Sequence, residues 1–542
     1  MFPDYKIMLL HFDKKNCSLS AVAFSCFILT LSVFIPFSSL KAQYDFMIIN
    51  GRVLDGSGNP WFYADIALKN GRIAKIGKLN PADATKIIDI KGQYISPGFI
   101  DVHSHAAGGL ISADRSQAVP LLTQGITTVI INPDGRSPLD LIKQKEALLK
   151  FGLGINAIPL IGHGSVRQAV LGMENRLATA HEMEQMKALV RKGMEAGAFG
   201  ISSGPFYTPG SYSNTEELIE LSKIVSQFGG LYTSHIRDES NYTVGVIKAV
   251  EEVIEISEKA QLPGIVTHIK VLGPPVWGFS EAVVQRINRA RQAGLEVYAD
   301  QYPYNASATG LGAALLPRWV QVGGRDSLLS RLNDRTLLPR IKSEMEENLA
   351  RRGGAERIQF RYFSPDSTVE GQTLKTVAKK WNIPPVEAAI TMLKKGNAGI
   401  VSFNMQDADV ANFMQQNWTM TCSDGSFPVW GTGVPHPRAF GSFPRKIHKY
   451  VLQEKVLDLP AAIRSMTSLP AQVFKIKDRG VLAEGAIADL VVFNLETIKD
   501  KATFTAPYQL SEGVHYVFVN GKAAIFDGKS TGTLNGEVIL RK

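Results

Sequence analysis

The sequence predicts a closed (β/α)8 barrel, class α/β, carrying a small β-sandwich domain built from both chain ends. Three observations lead there. Apolar strand texts alternate with helical texts through the middle of the chain. Strand-and-turn texts of one style occur at both ends. About 110 residues separate the last two barrel strands, too many for a plain loop, which marks an inserted lid or subdomain. The expected organisation is a signal peptide over 1–42, sandwich strands over 43–94, the barrel over 95–479 with its insertion at about 305–416, and returning sandwich strands over 480–542.

The leader is different in kind from the rest. Lys14 and Lys15 precede an apolar run over 19–37, and small or polar residues follow from Ser38 to Gln43. That is the charged, apolar, cleavable order of a secretory signal. The run is marginal in length for an uncleaved anchor and contains Ser25, Ser32 and Pro36. Export to the periplasm or beyond is expected, without stable membrane insertion once the leader is removed. Of three cysteines, Cys17 and Cys26 would leave with it. Cys422 then stands alone, so no internal disulfide is expected; a core this large needs none. Its thiol is either a metal ligand or, more commonly for such a residue, a small buried apolar group.

Composition narrows the function classes. The chain is 45% hydrophobic and 20% charged, as a globular protein is. Its net charge is +9, yet no long Lys/Arg block accompanies it, which speaks against nucleic acid and suits a small anionic substrate.

The sandwich strands are marked by Asn-Gly pairs, at Asn50-Gly51 and Asn70-Gly71 near the start and at Asn520-Gly521 near the end. The barrel strands are read at 95–102, 127–132, 155–162, 199–203, 231–235, 264–269, 295–302 and 418–422. Helices are read between them at 179–196, 215–228, 244–260 and 280–293. A doubly wound open sheet is the rival fold; it would want a Gly-rich phosphate loop after the first strand, and none is present.

Barrel enzymes carry their chemistry at the C-terminal strand ends. Strand one ends in His103-Ser104-His105, two imidazoles on one side at strand period, able to hold one divalent cation. The ends of the other strands give Asp134, His163, His235, His268, Asp300 and Asp424. Five of the ten histidines fall on these ends, an enrichment that packing does not explain. Four histidines and two carboxylates suffice for one or two zinc sites with open positions for water. Asp134 and Asp424 each precede a glycine, so a turn role and a ligand role are both open. His163 is equally consistent with a hydrogen-bonded core histidine.

These texts resemble the amidohydrolase superfamily, and within it the N-acyl-D-amino-acid deacylases, or D-aminoacylases. The likeness lies in residues 96–105, 125–129, 234–239, 300–304, 423–425 and 436–445, the last being the most specific segment. The resemblance implies metal ligands at His103, His105, His235, His268 and Asp424, with Zn2+ as cofactor. It also exposes a departure. Where many members carry a bridging Cys after strand two, an ungapped alignment puts Asp134, a harder ligand that binds less tightly than thiolate. Strand four has no Lys to bridge metals as in hydantoinases and dihydroorotases, which favours a linear amide over a cyclic one.

The implied reaction is hydrolysis of N-acyl-D-amino acids. Asp424 is the expected catalytic residue, taking a proton from the attacking water and giving it to the leaving nitrogen. His163 is a candidate for polarising the acyl carbonyl. Lys270 and Arg237 stand two residues beyond His268 and His235 and are candidates for the substrate carboxylate, unless Asp238, Glu239 or the site's own carboxylates neutralise them. Tyr302, Tyr304 and Arg438 complete the expected substrate contacts. A metallo-dipeptidase, a cyclic-amide hydrolase and a secreted metal-binding protein without chemistry remain alternatives.

Overall fold

The computed structural model describes residues 43–542. The expected leader, with Cys17 and Cys26, lies outside the described residues. Eight parallel strands form the barrel: β1 (Phe99–Asp101), β2 (Ile126–Ile131), β3 (Asn156–Pro159 continued by Ile161–Gly162), β4 (Gly200–Ser203), β5 (Leu231–Ser234), β6 (Gly264–Val266), β7 (Val297–Gln301) and β8 (Thr419–Thr421). Every residue in them is buried, because helices cover one face and the barrel core the other. That is why they read as continuous apolar runs rather than alternating ones. Pro159 has no N–H for the ladder, and β3 changes partner there, from β2 to β4. The ring closes between β8 and β1. Beyond those strands, the Asp424 N–H donates to His103 O at 2.9 Å and the His105 N–H to Gly425 O at 3.0 Å.

The covering helices start where the sequence supplies caps. Thr179 and Glu182 form a reciprocal capping box at the head of helix Ala180–Glu195. Asn214 caps helix Thr215–Gln227 through the Glu217 N–H. Val190, Leu221, Val253 and Ile287 point inward from successive helices to one core.

The two chain ends share one nine-stranded sheet. Strand Tyr94–Pro97 pairs parallel with Tyr44–Val53 on one side and antiparallel with Leu490–Phe493 on the other. Ile48, Ile66, Ile95, Leu490, Val492 and Phe518 fill its own core. The Asn-Gly signals divide here. Asn70 and Gly71, with φ of 51° and 79°, make the tight hairpin turn between Phe62–Lys69 and Arg72–Gly77. Asn50-Gly51 instead lies inside strand Tyr44–Val53 as a bulge, where the register slips between Ile48 and Gly51.

The insertion is a folded subdomain. Strands Ser307–Gly310, Gly399–Ser402 and Ile358–Tyr362 form an antiparallel sheet. Helices Leu338–Arg351, Leu374–Trp381 and Pro385–Lys395 pack on it around Leu315, Ile341, Phe360 and Leu393. It brings Ser307, Arg352, Arg361 and Tyr362 to the barrel mouth. Among the described residues, no helix is long and apolar enough to cross a membrane.

Candidate metal centre

Each central side chain is held by a distinct local device. Asp134 sits in a turn after β2, where it and Gly135 take φ of 57° and 76°. This loop descends between two strand ends that must be glycine. A Cβ at Gly204 would stand 2.5 Å from Asp134 O, and one at Gly162 would stand 2.6 Å from Gly135 O. The Ser202 hydroxyl fixes the loop, donating to Asn132 O at 2.6 Å and accepting the Gly135 N–H at 3.1 Å. His268 and Asp424 also have positive φ, 37° and 47°. Such backbone is costly for non-glycine residues and gathers at functional sites. The His268 N–H donates to Asp300 Oδ1 at 2.7 Å, which sets the ring's entry. Asp101, buried under His103, accepts from the Ser423 N–H at 2.8 Å and so ties β1 to the residues after β8.

The side chains converge on Asp134. Its Oδ1 lies 3.4 Å from His103 Nε2, 3.5 Å from His268 Nε2 and 3.7 Å from His235 Nδ1. Its Oδ2 lies 3.4 Å from His105 Nε2. Asp424 Oδ1 is 3.2 Å from His105 Nε2 and 3.6 Å from His103 Nε2. Most of these spacings are long for hydrogen bonds. They match the separation of about 3.3 Å between two ligands of one tetrahedral zinc with bonds near 2.0–2.2 Å. His103 Nε2, both His235 nitrogens and Asp134 Oδ1 are buried without a hydrogen-bond partner. Buried polar atoms are seldom left so, and imidazole nitrogens with carboxylate oxygens are zinc's ordinary donors. The residues fit zinc. Two donor groups flank the Asp134 cluster, one of His103, His105 and Asp424, the other of His235, Glu239 and His268.

Charge is arranged to match. Burial opposes ionisation of Asp134 and Asp424, yet His103 beside the first and Arg438 beside the second hold both carboxyls well below the usual range. Burial also opposes charge on the rings of His105 and His268, but the surrounding carboxylates push them up to about 9 and about 10. Burial takes His235 down to about 3. A metal ion binding here competes with protons on His105 and His268.

The sequence-derived candidates separate into two sets. His103, His105, Asp134, His235, His268 and Asp424 meet at one mouth. Lys270, Tyr302 and Arg438 line the same cavity, of about 460 Å³. Both cations are neutralised, Lys270 by Glu239 at 2.5 Å and Arg438 by Asp424 at 2.7 Å. Lys270 Nζ also lies 2.7 Å from His268 Nδ1.

Three candidates are placed elsewhere. His163 opens helix His163–Leu171 and points to Glu217, 2.8 Å from its Nε2, inside a buried pair shared with Arg167. Arg237 is spent on Glu252, at 2.7 Å, and on Ser213 O. Tyr304 is buried against His436 and Arg445, outside the cavity wall. Cys422 is fully buried in the barrel core and belongs to none of the donor groups. Glu239, Tyr207, Arg352 and Arg361 line the cavity without having been singled out as site residues. Glu239 had a signal, four residues after His235; the insertion's arginines had none.

Fold and donor set together define a metal-dependent amidohydrolase. Residues 333–525 match the amidohydrolase family. The chain is 32% identical over 525 residues to the N-acyl-D-glutamate deacylase of Alcaligenes xylosoxydans xylosoxydans, covering 93% of this chain and 98% of that one. It is 32% identical to the D-aminoacylase of the same organism, covering 92% and 98%. The crystal structure of N-acyl-D-glutamate deacylase from Bordetella bronchiseptica, complexed with zinc and a phosphonate mimic of the reaction's tetrahedral intermediate, superposes with a TM-score of 0.78 at 32% identity, over 92% of this chain and 100% of that one. The chain belongs to the D-aminoacylase family of amidohydrolases.

Proposed function

We propose that this chain hydrolyses the amide bond of N-acyl-D-amino acids, with zinc as cofactor, giving a carboxylate and a free D-amino acid. The observation that carries the reading is the convergence of four imidazoles on Asp134 with the ionised Asp424 beside them, in a chain of this family. Zinc at these ligands supplies Lewis acidity, bringing water toward ionisation near neutral pH and polarising an acyl carbonyl.

The protein's own groups supply the rest. Arg438 holds Asp424 Oδ2, which leaves Oδ1 turned toward His103 and His105. Asp424 Oδ1 takes the proton that the attacking water loses and delivers it to the amide nitrogen as the C–N bond breaks. Although Glu239 and Asp424 balance their charges, Lys270 and Arg438 keep further N–H donors, and with the Tyr302 hydroxyl they form the wall that the substrate's α-carboxylate meets. Asp134 would be a ligand at the place the resemblance gives to thiolate in many relatives: its Oδ1 stands near His103, His235 and His268, and its Oδ2 near His105. Arg361, which no carboxylate pairs among the described residues, faces the cavity and adds to the attraction for anions.

The test is release of free amine from matched N-acetyl-D- and N-acetyl-L-amino acids, with chelator and after zinc is restored. Release from the D series only, lost with chelator and regained with zinc, is expected. No release from either series by zinc-loaded protein would overturn the reading. Export rests on the leader's composition alone. N-terminal sequencing of protein from the periplasm of an expressing cell is expected to find a start near Gln43; full-length protein held in the cytoplasm would refute it.

A further inference from the structure

A second cavity, of about 990 Å³, opens beside the metal centre. It shares Ala107, Asn132, Asp134, Arg136 and Tyr207 with the catalytic cavity, so the two adjoin at Asp134. We propose that this cavity receives the acyl chain of the substrate, and that the enzyme prefers N-acyl-D-amino acids with medium-length aliphatic acyl groups to their N-acetyl counterparts. The inference rests on the deacylase reading above and adds the substrate class.

Position is the first argument. The groups suited to an α-carboxylate, Lys270, Tyr302 and Arg438, follow β6, β7 and β8. The second cavity lies across the mouth, lined by residues that follow β2, β3 and β4, among them Gly135, Gly164 and Gly204. An amide centred on the metal cluster with its amino-acid end toward β6–β8 must direct its acyl end toward β2–β4.

Chemistry is the second argument. Ile111, Pro138, Leu139, Ala147, Met173 and Pro209 line the cavity. Ile111 is 42% exposed there, a large apolar side chain without a cover of its own. Of the charged lining groups, Asp134 and Arg136 stand on the side shared with the metal centre, and Lys143 and Asp140 stand at the rim. Lys143 and Asp140 have side chains 80% and 42% exposed and lie 3.9 Å from each other. An aliphatic chain laid along this wall removes apolar surface on both partners from water. Gly108, exposed on this wall, borders open space, since a Cβ there would meet no atom within 4 Å.

The experiment compares kcat/KM for one D-amino acid carrying acetyl, butanoyl, hexanoyl or octanoyl groups, in wild type, Gly108→Trp and Ile111→Asp, all zinc-loaded. In wild type, kcat/KM is expected to rise by about fourfold for each methylene that becomes buried. Gly108→Trp, whose Cβ would meet no atom within 4 Å, is expected to abolish that rise and leave the acetyl substrate within twofold of wild type. Ile111→Asp flattens the rise by polarity rather than bulk. A wild-type profile that is flat or falls with length overturns the acyl-chain assignment while cleavage of the acetyl substrate sustains the deacylase reading. An equal loss for acetyl and octanoyl substrates in Gly108→Trp, with wild-type melting temperature, also overturns it. Failure to cleave any of the four overturns both.

Discussion

Two buried polar clusters at opposite ends of the barrel are built on opposite plans. At the bottom, Asp489 pairs with Arg479, accepts the Asn520 N–H at 2.7 Å and accepts Asn156 Nδ2 at 3.1 Å. Asn156 Oδ1 in turn accepts from Asn520 Nδ2 at 2.9 Å and from the Glu537 N–H at 3.1 Å. Nearly every polar atom there is matched; only Asn520 Oδ1 has no partner. This cluster joins the start of β3 to the sheet of the chain ends. At the top, four donor atoms of His103, His235 and Asp134 have no partner, and three non-glycine residues of the cluster hold positive φ. The lesson is that burial of charge alone does not mark function. A structural cluster satisfies its own hydrogen bonds, whereas a functional one keeps donors free for something brought from outside.

That contrast predicts separable failures. The largest effect is expected at the top: Asp424→Asn should lower turnover by about a hundredfold or more, with zinc still bound. Normal turnover in the zinc-loaded variant would break the assignment. At the bottom, Asp489→Ala leaves Arg479 with only the half-exposed Glu537 and should cost about 3 kcal/mol of stability. Denaturant unfolding would read that loss, and the zinc content and kcat/KM of the folded fraction should not change. A parallel loss of zinc would dissolve the distinction between the two clusters.

A third effect is a pH dependence confined to the top. In the zinc-free protein His105 and His268 titrate near 9 and 10, above their unfolded value. Their contribution to zinc-free stability is therefore present at low pH and lost as pH rises through 9–10. Zinc needs the same rings neutral, so its affinity rises over that range. The gap in melting temperature between zinc-loaded and chelated protein should widen from pH 6 to pH 9; a constant or shrinking gap would contradict it. The smallest effect belongs to His163, which serves Glu217 rather than the metal centre. His163→Gln should cost about 1–2 kcal/mol of stability while kcat/KM stays within about threefold.

The sequence made the barrel legible because its parallel strands are buried on both faces and leave unbroken apolar runs. It made the metal centre legible because His103 and His105 end a strand marked by Pro97-Gly98, and because His235, His268 and Asp424 follow other strands at the same depth. It failed where side-chain direction outlived the strand. β5 ends at Ser234, so Arg237 no longer follows strand period and turns to Glu252 on the next helix. β3 ends at Gly162, so His163 is a helix residue facing Glu217. Arg352 and Arg361 come from the insertion, where no strand-end rule applies and only the folded subdomain brings them to the mouth. Asn50-Gly51 misled for a related reason, since the same backbone serves a hairpin turn or a bulge, and pairing across the sheet decides between them.

The central claim is that residues from β1, β2, β5, β6 and β8 meet around zinc at one end of the barrel. Anomalous diffraction at the zinc edge from crystals of the zinc-loaded protein tests it most directly. The account predicts a peak about 2.0–2.2 Å from ring nitrogens of His103 and His105 or of His235 and His268, with an Asp134 oxygen in the same shell. Zinc found only elsewhere, or no peak among these side chains, would contradict it.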